Sequence, residues 1–374
     1  MKDLFHQEDR LALTLRRRIK IPVFFVLVLC LSITLFSCAA PEKRIVELVW
    51  PLPPDEPKVR WVGWLRNEHD IKEETKTEKF LKSVLGETDA GTSIGKPYGV
   101  HAAEGRVYIT DTGAGIVVVF DTVEKKVYNI GEEGVGSLRK PIGITTDAEG
   151  NIYVADADQD RAVVYDKKGK FKSTFGGKKQ FEQPVGVAVN DKLGRIYIVD
   201  AKKHNVQTFS KDGNFLFEFG KRGSEDGEFN FPTNISMSNN NGELYITDSM
   251  NFRVQIFDSD GKFISKFGSI GDSPGQFARP KGIAVDSDGN IYVVDAAFNN
   301  VQIFDRSGQL LLAFGEMGKG EGKFWLPAGI YIDGNDRIYV ADQYNRRVNI
   351  FQYLSEKFKK SSLGSVTPKE AGKP

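Results

Sequence analysis

Cysteine and histidine are both scarce in this chain of 374 residues. The two cysteines, Cys30 and Cys38, both lie near the N-terminus. Residues beyond 38 therefore cannot supply a disulfide framework, a thiolate metal site or a cysteine nucleophile. A histidine-rich metal site needs several imidazoles that converge on one ion, and the four histidines are too few and too scattered to build one. These four are His6, His69, His101 and His204.

The chain also lacks an excess of charge of one sign. Its formal net charge is +1, and without residues 1–37 it becomes about −2, with 45 basic against 47 acidic side chains. A nearly neutral domain is not suited to phosphate backbones, so we expect no nucleic-acid partner. The phosphate-binding motif G-x-x-x-x-G-K-[ST] is absent as well, which argues against nucleotide binding.

What the chain does contain is one repeated segment. Its clearest copy, PKGIAVDSDGNIYVVDAAFNNVQIFDRSGQLLLAFG, runs from Pro280 to Gly315. Four further copies precede it and one follows it, at intervals of 43 to 48 residues. A period in this range is typical of propeller blades or solenoid turns. The six copies begin at Pro97, Pro141, Pro184, Pro232, Pro280 and Pro327.

Each copy has four short apolar runs separated by turn residues such as Asp288-Gly289 and Ser307-Gly308. This pattern predicts a four-stranded antiparallel sheet with tight hairpins. The second run, for example IYVVD, is apolar at nearly every position, so both of its faces should be covered. Sheets stacked radially as propeller blades provide that cover.

The last copy lacks a convincing fourth strand, since it ends in FQYLSEKFKK without Phe-Gly. Far upstream, KVRWVG at Lys58 to Gly63 aligns with the outer strand KFISKFG. We therefore predict that a closing strand over residues 58–65 completes the last blade and locks the ring. Closure would also remove two exposed sheet edges. The propeller domain is predicted to span residues 58–354.

The order of motifs in each copy resembles the NHL repeat. P-x-G-V/I is followed by G-x-I-Y-V-x-D, by V-Q-I-F-D and by a G-x-x-G-x-F-x-x-P linker such as GSIGDSPGQFARP. The resemblance spans Pro97 to about Phe351 and implies an all-β fold, a six-bladed β-propeller of four-stranded antiparallel blades. Asn234 departs from it, because the other copies have Gly at that position.

The N-terminus has the layout of a secretory signal. Arg16, Arg17 and Arg18 precede a seventeen-residue apolar run that ends just before Cys38. Leu35 three positions before Cys38 resembles a bacterial lipobox, which implies a signal segment over 1–37, lipid attachment at Cys38 and a proline-rich tether over 38–57. The expected location is then the outer membrane, facing the periplasm. An uncleaved transmembrane anchor is the alternative.

Two further segments flank or interrupt the domain. TEKFLKSVL over residues 77–85 places apolar side chains on one helical face, with Gly86 as a stop, and predicts a short helix. Residues 355–374 contain Lys, Ser and Pro and are expected to form a loose tail.

An aspartate ends the second strand of every repeat, and five residues later most repeats have Arg or Asn. Because the residue recurs in every blade, we expect it to serve the fold by satisfying loop polar groups, and not to bind a metal or catalyse a reaction. Asp147, Asp286 and Asp333 lie at the ends of inner strands and are expected to be turn residues. The alternative is that they bind a structural calcium ion in the channel. We expect no other cofactor. The recurring aspartates are Asp111, Asp156, Asp200, Asp248, Asp295 and Asp342.

The remaining hypothesis is a non-catalytic, monomeric platform that binds a protein or another ligand of the cell envelope. Aromatic and Arg side chains in rim loops are enriched in recognition surfaces. The alternative is a metal-dependent lyase or lactone hydrolase with its site on the propeller axis, as similar propellers with axial histidines imply. The candidate ligand-binding residues are His204, Arg222, Phe252, Arg279, Phe298, Trp325, Tyr344 and Arg346.

Overall fold

A computed structural model of the protein describes residues 47–72, 93–177 and 179–364. These residues form six antiparallel sheets, five with four strands and one with five. Within the five four-stranded sheets the strands follow one another in chain order, as hairpin-connected meanders do. The fold is an all-β six-bladed propeller, as predicted.

Each blade runs from a first strand at the axis to a fourth strand at the outside. Blades one to three comprise Pro97–Ala103, Arg106–Asp111, Ile116–Asp121 and Lys126–Ile130; Pro141–Thr146, Ile152–Asp156, Arg161–Tyr165 and Phe171–Gly176; and Pro184–Asn190, Arg195–Asp200, Asn205–Ser210 and Phe215–Phe219. Blades four to six comprise Pro232–Met237, Leu244–Asp248, Arg253–Phe257 and Phe263–Phe267; Pro280–Val285, Ile291–Asp295, Asn300–Phe304 and Leu310–Phe314; and Pro327–Ile332, Arg337–Asp342 and Arg347–Tyr353.

The burial of the strands follows the sequence pattern. Every residue of the second strands Leu244–Asp248 and Ile291–Asp295 is buried. The outer strands Phe263–Phe267 and Leu310–Phe314 alternate between exposed and more buried side chains. Covered inner strands and half-solvated outer strands are what radial stacking of blades produces.

Six apolar clusters hold neighbouring blades together. The cluster that contains Val100, Val107, Tyr339 and Val348 joins blade six to blade one, as the other five clusters join the remaining pairs. A cluster at this last interface means that the blades form a closed ring.

The sixth blade is completed from the N-terminal side, as predicted. Strand Val59–Leu65 pairs antiparallel with Arg347–Tyr353, with Trp61 opposite Phe351. A further strand, Val49–Trp50, pairs with the closing strand and gives this blade its fifth strand.

Part of the segment expected to be a tether is therefore packed on the ring. The Trp50 ring lies 5.8 Å from Phe314 and 5.7 Å from Phe351, measured between centroids. Residues 38–46 of the expected tether lie outside the described residues, as do the signal segment, the helix predicted over 77–85 and its stop at Gly86. A 3-10 helix, Glu68–Asp70, follows the closing strand.

The C-terminal segment differs from the loose tail expected over 355–374. A helix, Glu356–Gly364, begins directly after the ring, and the Ser355 hydroxyl accepts a hydrogen bond from the Phe358 amide at 3.1 Å. The same hydroxyl donates to the buried carboxylate of Asp336 at 2.7 Å, which ties the start of the helix to blade six. No helix among the described residues is long and apolar enough to span a bilayer.

Candidate binding rim and axial channel

Two kinds of loop lie on the same end of the ring. Because neighbouring strands are antiparallel, the loops between second and third strands share this end with the linkers that join successive blades. We call it the linker rim, and the opposite end, with the other hairpin loops, the hairpin rim. The linker rim comprises the loops 112–115, 157–160, 201–204, 249–252, 296–299 and 343–346 and the linkers 131–140, 179–183, 220–231, 268–279 and 315–326.

The recurring aspartates fix the linkers to the rim loops. The buried Asp295 carboxylate accepts hydrogen bonds from the amides of Ala278 and Arg279 in its linker, and from Ala297 and Phe298 in its loop. Equivalent bonds to linker amides occur at all six positions. These carboxylates satisfy backbone donors.

The expected pairing of these aspartates with Arg or Asn occurs in only some blades. Arg253 Nε donates to Asp248 at 2.8 Å, and Arg347 Nε donates to Asp342 at 2.9 Å. Arg161 instead donates to the Ser137 carbonyl. In blade three, Asn205 donates to Glu218. An Arg at this position can reach linker carbonyls directly, as Arg161 does, so the carboxylate is not its only available partner.

His204 lies beneath the rim and not on it. It is 6% exposed, and its Nδ1 accepts a hydrogen bond from the Phe231 amide in the next linker at 3.1 Å. Asn299 occupies the same loop position in blade five. Its side-chain oxygen accepts a hydrogen bond from the Leu326 amide at 2.7 Å. His204 therefore joins neighbouring blades, and the exposed aromatic at this point is Phe231.

The two phenylalanines predicted for the rim are half-buried. Phe252 has a left-handed backbone, with φ of 55°, and packs against the apolar cluster between blades four and five. Phe298 is held in its loop by the hydrogen bond from its amide to Asp295. Phe252 thus folds back toward the interface between blades.

Trp325 and Tyr344 form an aromatic pair on the rim of blade six. Their ring centroids lie 5.6 Å apart, and the Tyr344 amide donates to the Trp325 carbonyl at 3.1 Å. The Lys319 ammonium lies 5.3 Å from the Trp325 ring, within the range of a cation–π interaction. Tyr344 is 55% exposed and Trp325 is half-buried, so Tyr344 supplies most of the aromatic surface that this pair presents to solvent.

The three arginines of the predicted set are all exposed on the linker rim. Arg222 lies in the linker that enters blade four, and Arg279 in the one that enters blade five. Arg346 lies two residues from Tyr344 in the loop of blade six, with a left-handed φ of 53°. The structure thus brings Arg346, Tyr344 and Trp325 together and leaves Arg222 in a different sector.

The first strands enclose a cavity of about 320 Å³ on the axis. Its wall includes His101, Thr146, Asn234, Ser236 and Tyr331. His101 Nε2 lies 2.9 Å from the Thr146 hydroxyl, and the centroid of its tilted ring lies 4.1 Å from that of Tyr331. Burial lowers the His101 pKa to about 3, so this imidazole is neutral at ordinary pH.

Crowding explains the glycine two residues after the leading proline in five of the six repeats. A Cβ on Gly99 would lie 2.2 Å from the Ile142 carbonyl oxygen of the next blade, and one on Gly329 would lie 2.4 Å from the Tyr98 carbonyl oxygen. These contacts agree with close backbone approach at the axis and give no sign of a phosphate-binding loop.

The three carboxylates considered for calcium close the turns after first strands. Asp286 accepts hydrogen bonds from the Asp288 and Asn290 amides and from the Tyr292 hydroxyl. Asp147 and Asp333 accept equivalent bonds in blades two and six. Within residues 47–72, 93–177 and 179–364, no three His, Cys, Asp or Glu side chains are grouped as metal ligands.

One pair of residues near the axis is missing from the predicted set. The Lys281 ammonium of blade five lies 5.3 Å from the Tyr98 ring of blade one, where the linker rim meets the axis. Both are the second residue of a Pro-x-Gly motif, and Lys281 is the only charged residue at that position in the six repeats. This break in the pattern is a sequence signal that could have identified the pair.

The predicted lipid-attachment residue, Cys38, lies outside the described residues.

Comparison with known proteins supports the same architecture. A family model described as a 6-bladed beta-propeller matches residues 181–252, 234–300 and 286–362. No relative is found among curated proteins by sequence.

Several solved structures share the fold. An auxiliary nutrient binding protein from Bacteroides thetaiotaomicron superposes with a TM-score of 0.57 at 15% identity, covering 71% of each chain. One from Bacteroides ovatus gives 0.55 at 14% identity, covering 70% of each chain. A streptogramin B lyase gives 0.54 at 15% identity, covering 69% of this chain and 94% of the lyase. At such identities the likeness establishes the fold and not the activity.

Proposed function

We propose that this protein is a non-catalytic binding module of the cell envelope, which captures a protein or another envelope ligand on its linker rim. The observation that carries the proposal is the exposed Tyr344, which pairs with the half-buried Trp325 and lies beside Arg346. Aromatic and Arg side chains dominate the energetics of binding surfaces, because they bury large areas and donate several hydrogen bonds.

The regular features of the ring support a binding role over a catalytic one. The recurring aspartates are occupied by linker amides, and His101 and His204 contact Thr146 and Phe231. A lyase or lactone hydrolase would need an acid, a base or metal ligands in one place. Two of the structural relatives named above are nutrient-binding proteins, and we extend a binding role, though not their ligand, to this chain.

The sequence before the ring supports a lipid anchor. A basic segment, a seventeen-residue apolar run and Leu35 three positions before Cys38 form the pattern of a cleaved and lipidated signal. We propose that Cys38 carries the lipid and that residues 39–46 link it to the ring. The protein then works on the periplasmic side of the outer membrane. We further propose that the repeats are of the NHL type, that the module is monomeric and that it binds no nucleic acid.

The binding role is tested by capture from envelope membranes with full-length, C-terminally tagged protein. Tyr344→Ala and Trp325→Ala remove the aromatic surface of the linker rim. Leu193→Ala is the matched control, because Leu193 is 50% exposed on the hairpin rim, close to the 55% of Tyr344. We expect the two rim variants to lose at least three quarters of a specific captured component, and the control to keep it.

Two results would overturn the binding role. One is equal capture by all variants and by an unrelated lipoprotein, which would mean that the rim recognises nothing. The other is metal-dependent turnover of a lactone or cyclic peptide by the purified protein, abolished by a chelator, which would favour the enzyme.

The anchor is tested separately with Cys38→Ser. A lipoprotein loses its lipid in this variant, so the protein should no longer partition with outer membranes, and the mass of its N-terminal peptide should lack the diacylglyceryl group. Membrane association that is unchanged in Cys38→Ser would instead support an uncleaved transmembrane anchor.

A further inference from the structure

The centre of the linker rim carries an unusual charge. The residues that follow the leading prolines of the six repeats converge there, because they begin the strands that line the axis. Five of them are uncharged, as the crowding of six strands favours, and Lys281 is the exception. A charged side chain at a position that the repeat otherwise fills with uncharged residues needs a reason beyond the fold. The six are Tyr98, Ile142, Val185, Thr233, Lys281 and Ala328.

The aromatic ring of Tyr98 lies next to the Lys281 ammonium. Its ring contacts the Lys281 ammonium of blade five, although blade six lies between blades one and five. The same side chain packs against the apolar cluster that contains Ile142 and Val185 of blades two and three. Tyr98 thus has neighbours in blades on both sides of its own, which places the Lys281 ammonium near the axis.

The Lys281 ammonium has cations as its charged neighbours. Burial, together with the charges of Arg279 and Lys96, lowers its pKa to about 8. No carboxylate of the described residues contributes to this shift. Arg279 and Lys96 are both exposed and precede the prolines of blades five and one. Lys281 thus lies near the positive charges of Arg279 and Lys96, while the carboxylates of Asp295 and Asp111 accept the backbone amides of those two residues.

The backbone that carries Lys281 is held in place. The Thr233 hydroxyl donates to the Lys281 carbonyl at 3.1 Å, and the Ser249 hydroxyl donates to the Pro280 carbonyl. Both donors come from the neighbouring blade four. Blade four thus holds the backbone of Lys281, and the Tyr98 ring of blade one contacts its ammonium.

We propose that Lys281 is the centre of an anion-binding site on the propeller axis, which takes a carboxylate or phosphate group of the ligand. Arg279 and Lys96 flank the anion, and the Tyr98 ring packs against the adjoining apolar part of the ligand. An anion placed here relieves the mutual repulsion of the three cations, and hydrogen bonds between charged groups are the strong ones. This inference rests on the proposed binding function and specifies the ligand for the same rim.

The site is tested by NMR of the full-length protein after reductive ¹³C-methylation of its lysines. Sodium phosphate and sodium succinate are titrated separately at constant ionic strength against sodium chloride. The Lys281 resonance is identified by its absence in Lys281→Met, with Lys281→Gln as a second variant should the first fold poorly. Lys202→Met identifies an exposed lysine of the same rim as the control.

We expect at least one of the two anions to shift the Lys281 resonance and raise its pKa, while the Lys202 resonance stays unchanged. In Lys281→Met the apparent affinity for that anion should fall about tenfold or more. A response to phosphate alone assigns a phosphate group, and a response to succinate alone assigns a carboxylate. The site is disproved if neither anion moves the Lys281 resonance, or if Lys202 responds equally.

The capture experiment separates this inference from the proposed function. If wild-type protein captures no specific envelope component, the binding role fails whatever the anion titration shows. If Lys281→Met captures the component as well as wild type while Tyr344→Ala does not, the rim binds and the axial anion site is wrong.

Discussion

The Trp61 indole of the closing strand donates to the Asn349 side-chain oxygen at 3.4 Å, across 288 residues of chain. This contact lies where the two distant ends of the domain pair, between Val59–Leu65 and Arg347–Tyr353. The ring is therefore a single cooperative unit whose stability depends on a strand encoded far from its partner.

The closing strand offers a matched pair of valines. Val59 is fully buried in the cluster between blades five and six, whereas Val62 is 47% exposed. Val59→Ala should lower the free energy of unfolding by about 2 kcal/mol, because apolar burial is lost and a cavity remains. Val62→Ala should change it by less than about 0.5 kcal/mol. Urea unfolding measures both values, and equal effects would contradict the role of this strand in closure.

His204 allows a test of the contact between loop and linker. His204→Ala leaves the Phe231 amide without its acceptor and should cost about 1 to 3 kcal/mol. His204→Asn should cost clearly less, because Asn299 already accepts the Leu326 amide from an equivalent loop with the same left-handed backbone. Thermal unfolding compares the two variants. An alanine variant as stable as wild type would mean that this hydrogen bond does not hold the linker.

Two aspartates at equivalent turns, Asp286 and Asp147, should have pKa values that are shifted in opposite directions from the ordinary value. Burial raises the Asp286 pKa to about 6, helped by the charge of Asp288. Burial also acts on Asp147, but hydrogen bonds from Asn151 and Tyr153 and the charge of Lys211 more than offset it, so the Asp147 pKa is lowered. Carboxyl ¹³C NMR should resolve the two groups.

The Asp286 shift has a consequence for stability. Between the unfolded pKa of about 3.9 and the folded value of about 6, the folded state binds a proton that the unfolded state does not. The stabilisation of the folded state by Asp286 is thus fully present below about pH 4, and it is lost as the pH rises through 6. A measured Asp286 pKa at or below the Asp147 value would contradict this account.

The sequence was sufficient to predict the blades and the closing strand, because each rests on a pattern that recurs. The run IYVVD must be covered on both faces, and KVRWVG matches an outer strand that the last repeat lacks. The short strand Val49–Trp50 lacks such a pattern, because it depends on the fit of Trp50 against Phe314 and Phe351. The helix Glu356–Gly364 was missed for a similar reason, since its start is fixed by the contact of Ser355 with Asp336.

The rim was harder to predict than the fold. The sequence shows which residues do not recur, but it does not show where a loop side chain points. His204 and Phe252 occupy the same loop position as Arg346, yet His204 turns under the rim, Phe252 turns toward an apolar cluster and Arg346 faces solvent. Lys281 and Tyr98 come together only because the ring closes, so their contact across two blades cannot be read from either repeat.

Site-specific photocrosslinking in living cells tests the central claim that the linker rim is the recognition surface. A photoreactive phenylalanine at position 344 lies on the linker rim, and one at position 193 lies on the hairpin rim with similar exposure. We predict a discrete crosslinked product from position 344 and none from position 193. The claim is contradicted if position 193 gives the product and position 344 does not, or if neither position gives one.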